Sequence, residues 1–438
     1  MAKQDMKESF PLFSVIIPCK NRAHYLYHTL RTCMLQNYEH LEVLVSDDGS
    51  TDNTREVVEE ASKRDPRIRY LTPSSGTGML NNFEYVLQQV KPGFVIALGG
   101  DDGLLPDGIQ GMWNTLRDTG MELLAWPAPH YFYPNVRGIN SQITIFRDKG
   151  IKIIDSRKFL CRQAKELRYS SDRESPMFYV KGVASTTLIE RVRQNSPRGR
   201  FYSCPTPDGY SGIVLAGMVD SYAYSGQPFS IFGSSPDSHG LAYLSNKETA
   251  KKISESFFQS VSSMPMHREL ASQPYSPLIT LMTADYLLTA RDLPGWRGSF
   301  PPIDYRQVLI KGIMELSSGM YGEERMSREL IILNKIAEKH GLTDYFRQKV
   351  RTSNCYRPRL PYMGNGFNTD GFYLDGNAYH LNNVFDAAYV AQTICQLYAD
   401  LSSSSFPKAI IRSIVYRFRE MNRKGGSFPN ESEWLKVR

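Results

Sequence analysis

Residues 95–108 read VIALGGDDGLLPDG: an apolar run, two glycines, then two adjacent carboxylates, Asp101 and Asp102. Two like charges at the end of a buried run repel each other, and each is costly near a core unless something offsets it. Gly and Asp favour turns, so a polar turn is one reading. A divalent cation, which takes hard oxygen ligands, is the other. A second pair, Asp47-Asp48, follows the apolar run in LEVLVSDDGSTDNT, and a third polar stretch, Pro18-Cys19-Lys20-Asn21-Arg22, follows FSVII. Asp208 in CPTPDGYSGIVLAGM stands between a proline-rich loop and an apolar helix-like run. A carboxylate there could take a proton from an attacking hydroxyl, or it could be a cap or turn residue. Asp220 in GMVDSYAY is a weaker rival for the base.

The elements that must position these groups alternate. Strands are expected over 13–18, 41–46, 68–71 and 94–98, and helices over 24–35, 52–63, 80–90 and 106–119. Asn53-x-x-Glu56 forms a capping box, and Pro106 opens the last of these helices. Apolar strands separated by helices predict an α/β fold whose mainly parallel sheet is covered on both faces. Ligands sit at the carboxyl ends of such strands. Gly100, Asp101, Asp102, Asp47, Asp48 and the 18–22 stretch would therefore converge on one rim. Strand character is also expected over 121–128 and 144–154, and a basic loop over 191–200. From 247 onward the apolar spacing turns helical. The expected domains are 1–244 (a nucleotide-binding half over about 11–120 and an acceptor half over about 121–244) and a largely helical 245–438. Residues 354–377 are expected to form a lid or linker.

The chain has 438 residues, a net charge of +7 and 22% charged residues. That balance favours anionic ligands and falls short of the basic signature of a dedicated nucleic-acid binder. The six cysteines include no C-x-x-C pair, which points to reduced thiols without a zinc site. The opening MAKQDMKESF has no apolar signal core, and no stretch approaches a membrane span. A cytoplasmic protein is the expectation.

FSVIIPCKNRAHYL, LEVLVSDDGSTDNT and GFVIALGGDDGLLPDG, in this order, resemble the signature stretches of the family-2 glycosyltransferases of GT-A fold. The resemblance covers the first 110 residues well, extends weakly to about 240 and does not reach the helical remainder. It implies an inverting enzyme that moves one sugar from a nucleotide-sugar, by default UDP-linked, to an acceptor hydroxyl. It implies that Asp48 faces the uracil ring, with Asp47 beside it. Pro18, Lys20, Asn21 and Arg22 would wrap the nucleotide. Asp101 would face the ribose, and Asp102 would coordinate Mn²⁺ or Mg²⁺. Asp208 would be the base, Asn82 or Asn81 would lie near the nucleotide, and His239 could complete the metal shell. Gly100 stands where the family's first acid is usual. No Q-x-x-R-W sequence marks a processive synthase.

The expected partners are the UDP-sugar and an acceptor glycan or lipid-linked glycan, in surface polysaccharide or glycoconjugate synthesis. A homo-oligomer and peripheral membrane contact are further candidates. The contact would use the basic amphipathic segment PKAIIRSIVYRFREMNRKGG near the end of the chain, otherwise a docked terminal helix. Alternatives are a non-catalytic nucleotide- or glycan-binding relative, and a transferase acting on protein or modified nucleic acid. A pyrophosphorylase would need a glycine-rich loop after the first strand, and a receiver domain would need its acid pair there. PCKNRAHY supplies neither.

Overall fold

The structure is a computed structural model that describes residues 10–73, 76–136, 141–146, 148–238, 240, 243, 248–318, 320–353, 366–367 and 371–401. Strand β1 (Phe13–Cys19) pairs in parallel with β2 (Leu41–Asp47) and β4 (Phe94–Ala97), and β2 pairs with β3 (Ile68–Leu71). Helices α1 (Ala23–Met34), α2 (Thr54–Arg64) and α3 (Met79–Leu87) make the crossovers. After the two-residue β5 (Gly103–Leu104) come α4 (Gly108–Thr119) and β6 (Leu123–Ala125). β7 (His130–Phe132), β8 (Gln142–Phe146) and β9 (Ile151–Asp155) follow, then α5 (Ser156–Glu166), β10 (Gly182–Ser185) and α6 (Thr186–Gln194). α7 (Pro207–Ala216), β11 (Ser221–Ser225) and β12 (Ser230–Ser234) complete the first 240 residues.

The main sheet has the order β3-β2-β1-β4-β10-β6-β11-β9. β10 runs antiparallel to both its neighbours and β9 to β11, while the other six strands share one direction. The sheet is thus mixed, with the expected parallel half at β3-β2-β1-β4. All seven residues of β1 and of β2 are buried. Val15, Ile17, Val43 and Val45 pack on the side of α1, α2 and α4, whereas Ile16, Leu44 and Val95 face the core shared with α3 and α7. Two covered faces are why these strands read as unbroken apolar runs rather than alternating ones.

The C-terminal half supplies α8 (Glu248–Ser260), α9 (Ile279–Arg291), α10 (Tyr305–Leu316), α11 (Glu323–Lys339) and α12 (Thr343–Thr352). β13 (Gly366–Phe367), β14 (Gly371–Asp375) and α13 (Val384–Leu401) follow. Two features bear on the expected division at 244. Leu281, Tyr286 and Leu309 share one core with Ile16, Val95 and Tyr222. β14 adds to β8 in a second sheet, β13-β14-β8-β7-β12-β5, where Val384 and Ala388 of α13 pack against Tyr131 and Ile231.

Some local expectations change. The run expected over 144–154 breaks into β8 and β9, which join different sheets. The stretch expected as a basic loop over 191–200 begins inside α6, where Arg191 bonds Glu122 at 2.5 Å and Arg193 bonds Glu84 at 3.2 Å. Asn53 makes no side-chain cap bond to α2. The Asp52 carboxylate takes the Thr54 amide at 3.1 Å and hydroxyl at 2.5 Å instead, and also accepts the Ala23 amide at 3.1 Å. Capping by Asp52 thus ties the start of α2 to the start of α1. Most of 354–377, and the basic segment at 407–426, lie outside the described residues.

Candidate active site

The three polar loops do converge at the carboxyl ends of β1, β2 and β4. Asp48 is 3% exposed and its amide donates to the Cys19 carbonyl at 3.0 Å, which locks the second loop to the first. Its Oδ1 accepts the Thr77 amide at 2.7 Å and hydroxyl at 2.8 Å, and its Oδ2 accepts the Gly78 amide at 2.9 Å. Lys20 Nζ stands 3.9 Å from Asp48 Oδ2 with half its side chain in solvent. The Gly-Thr-Gly turn at 76–78 allows this clamp, because Gly76 and Gly78 have φ of 59° and 84°. Asp47 is committed inward, accepting from the Ser50 amide at 2.9 Å and from Tyr70 Oη at 2.9 Å.

Pro18 is buried in β1. Asn21 adopts φ 52°, and its Oδ1 accepts the Thr51 amide at 2.7 Å, so this exposed residue pins the first loop to the second. Arg22 donates from Nη2 to the Asp237 carbonyl at 2.6 Å. Asn82 is 2% exposed: its Nδ2 donates to the Ser46 carbonyl at 2.9 Å, and its Oδ1 accepts from Ser46 Oγ at 2.5 Å. Asn82 therefore braces the end of β2 from α3 and presents no open group. Asn81 is exposed, donates to the Thr77 carbonyl at 2.8 Å and accepts from Arg200 at 2.8 Å.

The two acids after β4 sit in different surroundings. Asp102 is fully buried: Oδ1 accepts the Gly233 amide at 2.8 Å, Oδ2 accepts the Gly99 amide at 2.7 Å, and the Tyr179 hydroxyl bonds the same carboxyl. Burial first and the Asp101 charge second push Asp102 up, against these donors. Both Asp102 oxygens are thus taken up by donors of the protein itself. Asp101 uses only one oxygen: Oδ2 accepts from Ser235 Oγ at 2.6 Å and Ser238 Oγ at 2.9 Å, and Oδ1 has no partner among the described residues. Gly100 backs onto Arg22, whose Cβ would lie 3.0 Å from a Cβ at 100. At Gly99 a Cβ would meet the Tyr179 hydroxyl at 2.4 Å, so a tyrosine hydroxyl fills that space. Gly233 is needed because a Cβ there would meet the Asp101 carbonyl at 1.8 Å.

Asp208 sits in the first turn of α7, half-buried. Its Oδ2 accepts from Tyr169 Oη at 3.3 Å, while Oδ1 is buried without a partner among the described residues. Burial holds Asp208 above the usual carboxylate range. Tyr179 bonds Asp102, and Phe83 packs against both Tyr179 and Tyr202, the latter six residues before Asp208. The rival Asp220 is exposed at the amino end of β11, which runs in the direction of β1, so it lies at the end of the sheet opposite the rim. His239 lies outside the described residues. Among the described residues no three His, Cys, Asp or Glu side chains gather as a metal cluster. Of the cysteines, Cys19, Cys33, Cys161, Cys204 and Cys395 are free thiols.

Sequence reasoning missed Thr77, Tyr169, Tyr179, Ser235 and Ser238. Only the Gly-Thr-Gly turn carried a local signal; the others reach the acids they touch from 39 to 137 residues away along the chain.

The sequence profile of glycosyl transferase family 2 matches residues 14–169. An uncharacterized glycosyltransferase of Haemophilus influenzae is 33% identical over 251 residues, 56% of this chain and 73% of that protein. The chain belongs to glycosyl transferase family 2. The family-2 match reaches further in some relatives than in others. A Campylobacter jejuni GalNAc(5)-diNAcBac-PP-undecaprenol beta-1,3-glucosyltransferase is 38% identical over 96 residues, but these are only 22% of this chain and 31% of the relative. Among solved structures, S. aureus TarS 1-349 in complex with UDP-GlcNAc aligns at a TM-score of 0.45 and 14% identity, over 79% of this chain and 93% of that one. No helix among the described residues is long and apolar enough to cross a membrane.

Proposed function

We propose that this family-2 chain is an inverting glycosyltransferase that moves a single sugar from a UDP-sugar to an acceptor hydroxyl. The observation that carries the reading is a pair of carboxylates in different settings, each with an oxygen that has no partner among the described residues: Asp101 at the nucleotide loops and Asp208, half-buried at the start of α7. Asp48, oriented by Thr77 and Gly78, has lone pairs left to accept an N–H of the nucleotide base. Lys20, Asn21 and Arg22 border the same place.

Asp101 Oδ1 and the nearby serine hydroxyls suit Mg²⁺ or Mn²⁺, which take hard oxygens and keep waters or substrate phosphates in their shell. A cation held there would offset charge on the departing diphosphate. Asp101 takes the ligand role and Asp102 braces the loop. Asp208 takes the proton as the acceptor oxygen bonds the sugar carbon. The bond to the nucleoside diphosphate breaks on the opposite face, and its electron pair leaves with the phosphate. Burial raises the basicity of Asp208, as a base for a hydroxyl requires.

The acceptor belongs to a surface polysaccharide or glycoconjugate, a reading supported by the Campylobacter relative, whose name describes a lipid-linked glycan. The test is calorimetric titration of UDP, with ADP and GDP as controls, with and without Mn²⁺, followed by a UDP-sugar panel. Selective, cation-enhanced UDP binding and turnover of one UDP-sugar are expected. Absence of nucleotide binding in every condition would remove the donor reading.

A further inference from the structure

A cavity of about 570 Å³ opens between the first turn of α3, the loop over 197–203, the end of α8 and the end of α9. We propose that it binds a phosphate-bearing part of the acceptor; this rests on the transferase reading above. Its size is that of a small-molecule site. Arg198 and Arg200 line it, with Tyr202, Ser203, Ser263 and His267. The lining acid, Asp292, is already spent on His267 at 3.0 Å, Arg268 at 2.9 Å and Arg291 at 3.0 Å.

Three observations point to an anion. Arg198 is exposed, has no partner among the described residues, and holds φ 65°, a left-handed conformation that disfavours a non-glycine residue. Tyr202, a lining residue, is 1% exposed, and its hydroxyl is a buried donor with no partner among the described residues. α3 begins at Gly78 without a side-chain cap, and its first-turn residues Met79, Leu80 and Asn81 line the cavity at the positive end of the helix. Thr77 and Gly78 give their amides to Asp48, while the loop that carries the lining residues Tyr202 and Ser203 continues within five residues to Asp208 at the start of α7. An acceptor hydroxyl at Asp208 could therefore trail its phosphate toward Arg198 and Arg200, and Ser203 and Ser263 could bond its sugar hydroxyls.

The test is calorimetric titration of inorganic phosphate into the full chain saturated with UDP and Mg²⁺, for wild type, Arg198→Gly and Arg200→Ala. Glycine suits the backbone at 198 better than arginine, so failure of that variant to fold is not in play. Phosphate binding that weakens about tenfold in each variant, with UDP affinity held within about twofold, is expected for the loss of one charge-assisted pair. Farnesyl phosphate and glucose 1-phosphate, titrated likewise, separate a lipid-borne from a soluble phosphate. Displacement of UDP by phosphate, equal affinity in all three proteins, or no binding overturns the proposal. Failure of UDP itself to bind would strike the donor reading; the same variants titrated without nucleotide still read the cavity.

Discussion

Asp102→Asn separates the two adjacent acids. The Asp102 carboxyl receives two buried backbone N–H groups, one on each oxygen: Gly99 at 2.7 Å and Gly233 at 2.8 Å. Asparagine keeps the shape but has one acceptor oxygen, so one buried N–H must face an NH₂ group. Leaving one buried donor unpaired costs about 1–3 kcal/mol, and an intermediate value of about 2 kcal/mol is expected. Because the Gly233 bond ties β12 to the acid loop, the loss weakens the seam between the two sheets. The pH dependence has a defined sign. A carboxyl whose folded pKa is raised by burial and by Asp101 binds more protons folded than unfolded. Wild-type stability from this group is therefore present at low pH, and is lost as pH climbs from the ordinary carboxylate range through the raised folded value. The variant lacks that slope. Urea denaturation followed by circular dichroism, together with UDP titrations with and without Mn²⁺, reads both consequences. Asp102→Asn should lose about 2 kcal/mol and keep the Mn²⁺-dependent gain in UDP affinity. Asp101→Asn can keep its serine bonds through one oxygen, and should stay within about 1 kcal/mol of wild type while losing that gain. The reverse pattern would refute the assignment of the brace to Asp102 and return the cation to it.

Other consequences follow from the same geometry. Asp208→Asn should lower kcat by about 10²–10⁴ without changing UDP affinity, and the wild-type rate should fall on acidification at a pKa above the usual carboxylate range, read from a pH–rate profile. Thr77→Val removes the 2.8 Å hydroxyl bond to Asp48 and should weaken UDP binding about fivefold to tenfold by calorimetry. Gly233→Ala would place a Cβ 1.8 Å from the Asp101 carbonyl, so β12 must shift, and thermal denaturation should show a loss of about 3 kcal/mol or more. Gly99→Asp should impair folding because its Cβ meets the Tyr179 hydroxyl at 2.4 Å, and Tyr179→Phe in the same chain should recover part of the loss.

The sequence by itself determined the parallel half of the sheet and the rim it serves. Strands buried on both faces must be apolar throughout, and the polar turn after each one must lie at the same edge, so FSVII, LEVLV and FVIAL place Asn21, Asp48 and Asp101 together before any coordinates exist. It also located Asp208, because a carboxylate in the first turn of an apolar helix is a local pattern. Other decisions waited for the tertiary structure. Whether Asp101 or Asp102 has an open oxygen depends on Gly233, Ser235 and Tyr179, which reach the acid loop from β12 and from the stretch before β10. The break of 144–154 into two sheets, and the pairing of Arg191 and Arg193 with Glu122 and Glu84, are equally distant contacts. Periodicity reports which face of an element is buried, since each residue carries that preference in its own side chain. It does not report which distant donor fills a given oxygen, because that choice belongs to the closed chain.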